Sequence, residues 1–146
     1  MPAMSAEDPQ TAQTAPRTVI TFGTFDVFHV GHLRVIERAA TLGDRLVVGV
    51  SADALNLSKK GREPVFSQGE RMAIVGALRM VDEVFVEESL ELKREYISTY
   101  GADVLVMGDD WAGRFDEFGD ICEVVYLPRT PAISTTALIE KISGTA

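Results

Sequence analysis

Apolar and polar positions follow two alternating periods along this chain. Thr18-Val19-Ile20-Thr21-Phe22 and Arg45-Leu46-Val47-Val48-Gly49-Val50 are short, nearly continuous apolar runs. That is the pattern of strands covered on both faces. Val84-Phe85-Val86, Val104-Leu105-Val106-Met107 and Val124-Val125-Tyr126-Leu127 repeat it. Between these runs the apolar residues fall at helical spacing. Leu33, Val35, Ile36, Ala39, Ala40 and Leu42 form one face, with Gly43 read as the C-cap. Ser67 and Glu70 read as a capping box that opens a helix through Met72, Ile74, Val75 and Leu78. Leu90 to Tyr100 is a helix stopped by Gly101, and Thr135 to Ile142 is the last one. Residues Ser51 to Ser67 read as a long polar connection. Strand alternating with helix predicts a single-domain, Rossmann-like α/β fold: a doubly wound, mostly parallel five-stranded sheet with helices on both faces.

Composition narrows the partners. The domain is expected over residues 18–146 of the 146, large enough for a continuous core. Residues 1–17 are rich in Ala, Thr, Pro and Gln and lack the basic start and apolar stretch of a secretory signal. A disordered leader without a role is expected there. The net charge of −8 argues against nucleic acid and anionic membrane surfaces, though not against a small polyanion met by locally gathered cations. No apolar run approaches the roughly 20 residues of a membrane span. The lone Cys122 allows no internal disulfide, which suits the cytoplasm, and its strand-like neighbours suggest a buried, inert thiol.

The chemistry-bearing residues gather where strands end. Gly23-Thr24-Phe25-Asp26-Val27-Phe28-His29-Val30-Gly31-His32 follows the first strand and enters the first helix. In an open α/β sheet that is the ligand-binding position, where unpaired helix N–H groups favour an anion. Neither the G-x-G-x-x-G fingerprint nor a G-x-x-x-x-G-K-[ST] loop is present, so the phosphate device is a different one. His29 and His32, with Gly31 between for close backbone approach, read as phosphate ligands. The competing readings are a capping and a packed histidine, or a metal site with Asp26 as third ligand. Lys59, Lys60 and Arg62 either form a solvated loop or close over phosphates from the second strand. Arg129-Thr130-Pro131-Ala132-Ile133-Ser134-Thr135-Thr136 repeats the device at the last strand, an arginine followed by hydroxyls that open a helix. Asp109-Asp110-Trp111 reads equally as a Mg²⁺ or substrate site and as a turn before a core tryptophan. Arg71 and Arg79, eight apart and placed on one helix, read as ordinary exposed arginines.

His29-Val30-Gly31-His32 is an H-x-G-H signature, and the chain resembles the nucleotidylyltransferase superfamily that carries it. Gly23 to His32, Val81-Asp82-Glu83-Val84, Val106 to Trp111, Glu123 to Thr130 and Ile133 to Thr136 are similar to the bacterial glycerol-3-phosphate cytidylyltransferases. The likeness runs from Thr18 to Ile142. It implies transfer of CMP from CTP to sn-glycerol 3-phosphate, giving CDP-glycerol for wall polymers of the teichoic acid kind. Mg²⁺ would be carried mainly by the nucleotide phosphates, with no metal ligand assigned to the protein. His29, His32, Lys59 and Arg129 would be the catalytic set. Thr24, Phe25, Gly31, Asp110, Arg129, Thr130, Ile133, Ser134 and Thr135 would bind nucleotide together with the histidines. Asp26, Lys59, Arg71, Arg79 and Trp111 would serve the acceptor. The resemblance also implies a homodimer. The segment Lys60-Gly61-Arg62-Glu63-Pro64 departs from the family and leaves Lys60 and Arg62 as alternative second cations; Pro131-Ala132 replaces a glycine-containing signature. A relative using ATP or another phosphorylated alcohol is the nearest rival, and a nucleotide sensor without turnover is the other.

Overall fold

The computed structural model describes residues 16–128 and 134–144. Five strands, β1 (Thr18–Gly23), β2 (Arg45–Ser51), β3 (Glu83–Glu87), β4 (Val104–Gly108) and β5 (Glu123–Leu127), form one sheet in the order β3-β2-β1-β4-β5. All four pairings are parallel. The helices are α1 (Val30–Ala40), α2 (Asp53–Lys60), α3 (Gln68–Gly76), α4 (Lys93–Thr99) and α5 (Thr135–Ser143), with short 3₁₀ turns at 90–92, 109–111 and 116–120. The strand order reverses at β1: the chain steps to β2 and β3 on one side, then returns to β4 and β5 on the other. This is the expected doubly wound architecture, and its switch point lies between β1 and β4.

The apolar runs are read with period two by the two faces. Val19, Leu46, Val48, Val50, Val104 and Val106 point to one face with Ile36 and Ala39 of α1 and Val75 of α3. Ile20, Phe22, Val47, Leu105 and Met107 point to the other with Phe85, Ile97 of α4 and Phe118. Burying each such side chain contributes about 1.5–3 kcal/mol. Gly49 is required by packing. A Cβ there would stand 2.6 Å from the Phe22 ring and 2.8 Å from Phe85.

Three local readings are corrected. Residues 53–60 form α2 rather than open connection, stopped by Gly61 in the left-handed conformation (φ 74°). The start and stop signals were present: Asp53 in the first turn, Lys59 and Lys60 in the last, then glycine. Helix α1 is capped at Thr41, and Gly43 serves close approach instead, since a Cβ there would lie 2.5 Å from the Arg17 carbonyl. Helix α3 ends before Arg79, capped at Ala77 by its N–H donating to the Ile74 and Val75 carbonyls. Of the expected leader, 1–15 lie outside the described residues. Arg17 belongs to the fold: its N–H donates to Asp44 (2.8 Å), and its carbonyl accepts from Asp44 and Arg45.

Aspartates close the N-terminal edge of the sheet. Asp82 accepts from the Leu46 N–H (2.8 Å) and Asp103 from the Thr18 N–H (2.9 Å), each bridging to the neighbouring strand. Backbone donors that would otherwise be orphaned there are satisfied.

Candidate active site

At the opposite, C-terminal edge the chain opens a cleft of about 470 Å³ lined by the β1–α1 turn, α2 and its loop, Gly108, Asp110 and the start of α5. The β1–α1 turn is strained. Phe25 (φ 57°) and Val27 (φ 47°) both lie in the left-handed region, which a β-branched valine adopts at a cost of about 1–3 kcal/mol. The turn folds the Phe25 ring under Gly23, where a Cβ would meet it at 2.8 Å. Asp26 holds this shape. Its carboxylate accepts from the N–H groups of Val65 (2.7 Å), Phe66 (2.8 Å) and Val27 (3.0 Å), which pins the loop after α2 against the turn.

His29 is the N-cap of α1. Its Nδ1 accepts from the Gly31 N–H (3.0 Å), and His32 Nδ1 accepts from the His29 N–H (3.2 Å). The reading of one capping and one packed histidine is what the structure shows, and the same geometry leaves both Nε2 atoms toward the cleft. An Nδ1 that accepts a backbone proton cannot carry its own, so each neutral ring holds its hydrogen on Nε2. Both Nε2 atoms face the Thr135 hydroxyl, at 3.2 Å from His29 and 3.5 Å from His32. That hydroxyl donates in turn to the Asp26 carbonyl (3.3 Å). The rings stand 3.9 Å apart by centroid, with His32 also against Phe25 and Phe28. Burial lowers the pKa of both. For His32 it falls to about 4, from desolvation first and the neighbouring His29 second, against a smaller pull upward from Asp26. At neutral pH the pair presents two uncharged N–H donors to the cleft.

The remaining candidates divide. Thr24, Phe25, Asp26, Gly31, Asp110, Ser134 and Thr135 line the cleft with the histidines. Ser134 is the N-cap of α5, accepting from the Ala137 N–H (3.0 Å). Lys60 and Arg62 both line the cleft. Lys59, expected in the catalytic set, is exposed on α2 and outside the cleft lining, near enough to Glu87 and Lys93 to feel both charges; its ammonium pKa is lowered by partial desolvation, with Glu87 opposing. Arg71 is wholly buried and fully engaged, donating to the Thr24 carbonyl (2.8 Å), the Phe66 carbonyl (3.0 Å) and Asp53 (2.6 Å). Trp111 packs on Phe115 with Arg114 over its ring, outside the cleft lining. Arg79 sits in the turn leading to β3, at the far edge of the sheet from the histidines. Arg129, Thr130 and Ile133 lie outside the described residues. Among the described residues no group of three metal-ligating side chains is assembled. Cys122 is half-buried rather than buried; its thiol pKa is raised by burial and its Sγ donates to the Phe118 carbonyl.

Three features escaped the sequence reading. Asn56 is buried beside Thr24, Ile139 of α5 joins the lining, and Lys93 is buried with Glu87 at 2.5 Å beneath the same edge. Lys93 lies 4.0 Å from the Phe22 ring centroid. A lysine and a glutamate on separate elements carry no signal of their pairing in sequence.

Fold and site together define a doubly wound α/β domain whose cleft, at the C-terminal edge of the sheet, is faced by two histidines at a helix N-terminus. A cytidylyltransferase-like family model matches residues 20–141, and the chain belongs to that family. A glycerol-3-phosphate cytidylyltransferase of Bacillus subtilis (strain 168) is 50% identical over 88% of this chain and 98% of its own length. One from Staphylococcus aureus (strain NCTC 8325 / PS 47) is 38% identical over 88% and 96%. The solved structure of a lipopolysaccharide core biosynthesis protein from Thermoplasma volcanium GSS1 shares the fold, with a TM-score of 0.67 at 22% identity over 80% of this chain and 99% of that one. Among the described residues no helix is long and apolar enough to cross a membrane.

Proposed function

We propose that the chain transfers CMP from CTP to sn-glycerol 3-phosphate, releasing pyrophosphate and forming CDP-glycerol. The observation that carries this is the convergence of His29 and His32 Nε2–H on one hydroxyl in the cleft, which Lys60 at the end of α2 and Arg62 just beyond it also line. A phosphate oxygen placed where the Thr135 oxygen now sits would accept both hydrogens. The acceptor phosphate is already ionised at neutral pH, so its oxygen attacks the α-phosphorus without a general base. The bond from that phosphorus to the bridging oxygen breaks, and pyrophosphate leaves with the electron pair. The protein contributes positioning and charge stabilisation rather than a nucleophile. Two neutral N–H donors suit the crowded α-phosphate, and the lysines and Arg62 suit the β- and γ-oxygens.

The names of the relatives support cytidine and glycerol 3-phosphate over ATP or another acceptor. Mg²⁺ is part of this reading. It is a hard cation that takes oxygen ligands, and the nucleotide phosphates supply most of them, with the exposed Asp110 carboxylate at the cleft as the protein group that fits. The ion would neutralise the departing pyrophosphate. A homodimer and a supply of CDP-glycerol to teichoic acid synthesis, both resting on the family resemblance, and a cytoplasmic place of action, resting on the lone Cys122, complete the reading. Pyrophosphate release measured across four nucleoside triphosphates and several phosphorylated polyols tests it. CTP with glycerol 3-phosphate should be turned over fastest. Turnover with ATP and none with CTP would overturn it.

A further inference from the structure

Helix α2 has an unusual core. Of its eight residues only Asn56 is buried, at 1% exposure, so its inner contact is an amide where an amphipathic helix would place an aliphatic side chain. Both ends of that amide are bonded. Its Oδ1 accepts from the Thr24 hydroxyl (2.9 Å), and its Nδ2 donates to the carbonyls of Ala52 (3.0 Å) and Ser51 (3.4 Å) at the end of β2. A buried amide satisfied on both sides fixes one arrangement of its neighbours, which an aliphatic contact would not. The elements it joins are the β1–α1 turn at the cleft floor and the helix that carries the cations. Lys59 and Lys60 follow Asn56 by three and four residues, so they rise from the same side of α2.

An eight-residue helix is marginal in isolation and takes its position from what holds it. The start of α2 is held by Asp53, which exchanges bonds with Gln68 and pairs with Arg71. Asn56 holds the middle, one turn before the lysines. Resting on the function proposed above, we propose that Asn56 is a positioning residue for the transfer reaction. It locks α2 to Thr24, so that Lys59 and Lys60 stand in register with phosphates bound on the β1–α1 turn. It touches no reacting atom and works through the lysines.

A double-mutant cycle on kcat, with folding followed by circular dichroism, tests this. Asn56→Ala should lower kcat about 10- to 100-fold, the cost of misplacing charged groups by an ångström or so. In a Lys59→Ala/Lys60→Ala background the same substitution should cost less than about threefold, because the groups it aligns are gone. A loss of folded protein would instead scale kcat by the same factor in both backgrounds, so an additive cycle overturns the proposal. Thr24→Val removes the shared bond while leaving Asn56 bonded to β2, and it should show the same non-additivity with the lysines. If Asn56→Ala does not fold, this second cycle decides alone. A wild-type chain that makes no pyrophosphate from CTP and glycerol 3-phosphate overturns the functional reading and this proposal with it. An active wild type with additive cycles overturns only the role of Asn56.

Discussion

The two edges of one parallel sheet are built to opposite ends. At the N-terminal edge, Asp82 and Asp103 each take a strand N–H from a neighbour, and the Arg17 carbonyl receives two more donors. At the C-terminal edge, the β1–α1 turn holds two non-glycine residues in the left-handed region, and two rings with lowered pKa values face a cleft. Aspartate serves both edges. Asp26 accepts backbone N–H groups as Asp82 does, but it pins a strained turn that lines the cleft. The same interaction serves register on one side and pre-organisation on the other.

The sharpest way to break this contrast is at the histidines. His29→Ala or His32→Ala should lower kcat by about 10²–10³ each, the range for removing one preorganised donor to developing charge. Stability should fall by only about 1 kcal/mol as the cap is lost. Pyrophosphate release with a parallel thermal melt separates the two. Acid should act on the same edge. Because His32 titrates near 4 when folded and near 6.5 when unfolded, the unfolded chain takes up the proton first. Stability from this site is whole above pH 6.5 and is lost as pH falls from there toward 4, by at most about 3 kcal/mol. Urea titrations across that window should show the decline, and His32→Gln should flatten it. Gly49→Ala lies in the core shared by both edges and should cost about 1–3 kcal/mol by overpacking Phe22 and Phe85, read as a shift of the urea midpoint. The smallest effect belongs to the closed edge. Asp82→Ala or Asp103→Ala should cost about 1 kcal/mol in a thermal melt and leave kcat within twofold.

What was legible in the sequence follows from the same division. The three central strands β2, β1 and β4 are apolar runs buried on both faces, the edge strands β3 and β5 are shorter apolar runs only partly covered, and the helices packed on the sheet carry apolar stripes. Helix α2 lacks such a stripe because its buried residue is Asn56, and hydrophobic periodicity could not find it. The H-x-G-H segment marked the cleft edge, but its spacing does not show that Nδ1 of each ring serves the helix while Nε2 faces the cleft. Arg71 looked exposed by its spacing on the helix. It is buried because Asp53 and two carbonyls from separate loops converge on it, a long-range arrangement no local pattern encodes. Asp26 suggested a metal or substrate ligand, and its bonds to Val65 and Phe66 span about forty positions.

The central claim is that His29 and His32 meet the nucleotide as neutral rings protonated on Nε2. Long-range ¹H–¹⁵N spectra of the imidazoles at pH 7, without and with CTP, test it most directly. Both rings should show a protonated Nε2 and a bare Nδ1, and CTP should shift the Nε2 resonances while leaving the tautomer unchanged. A ring protonated on Nδ1, or an imidazolium at that pH, would contradict the account.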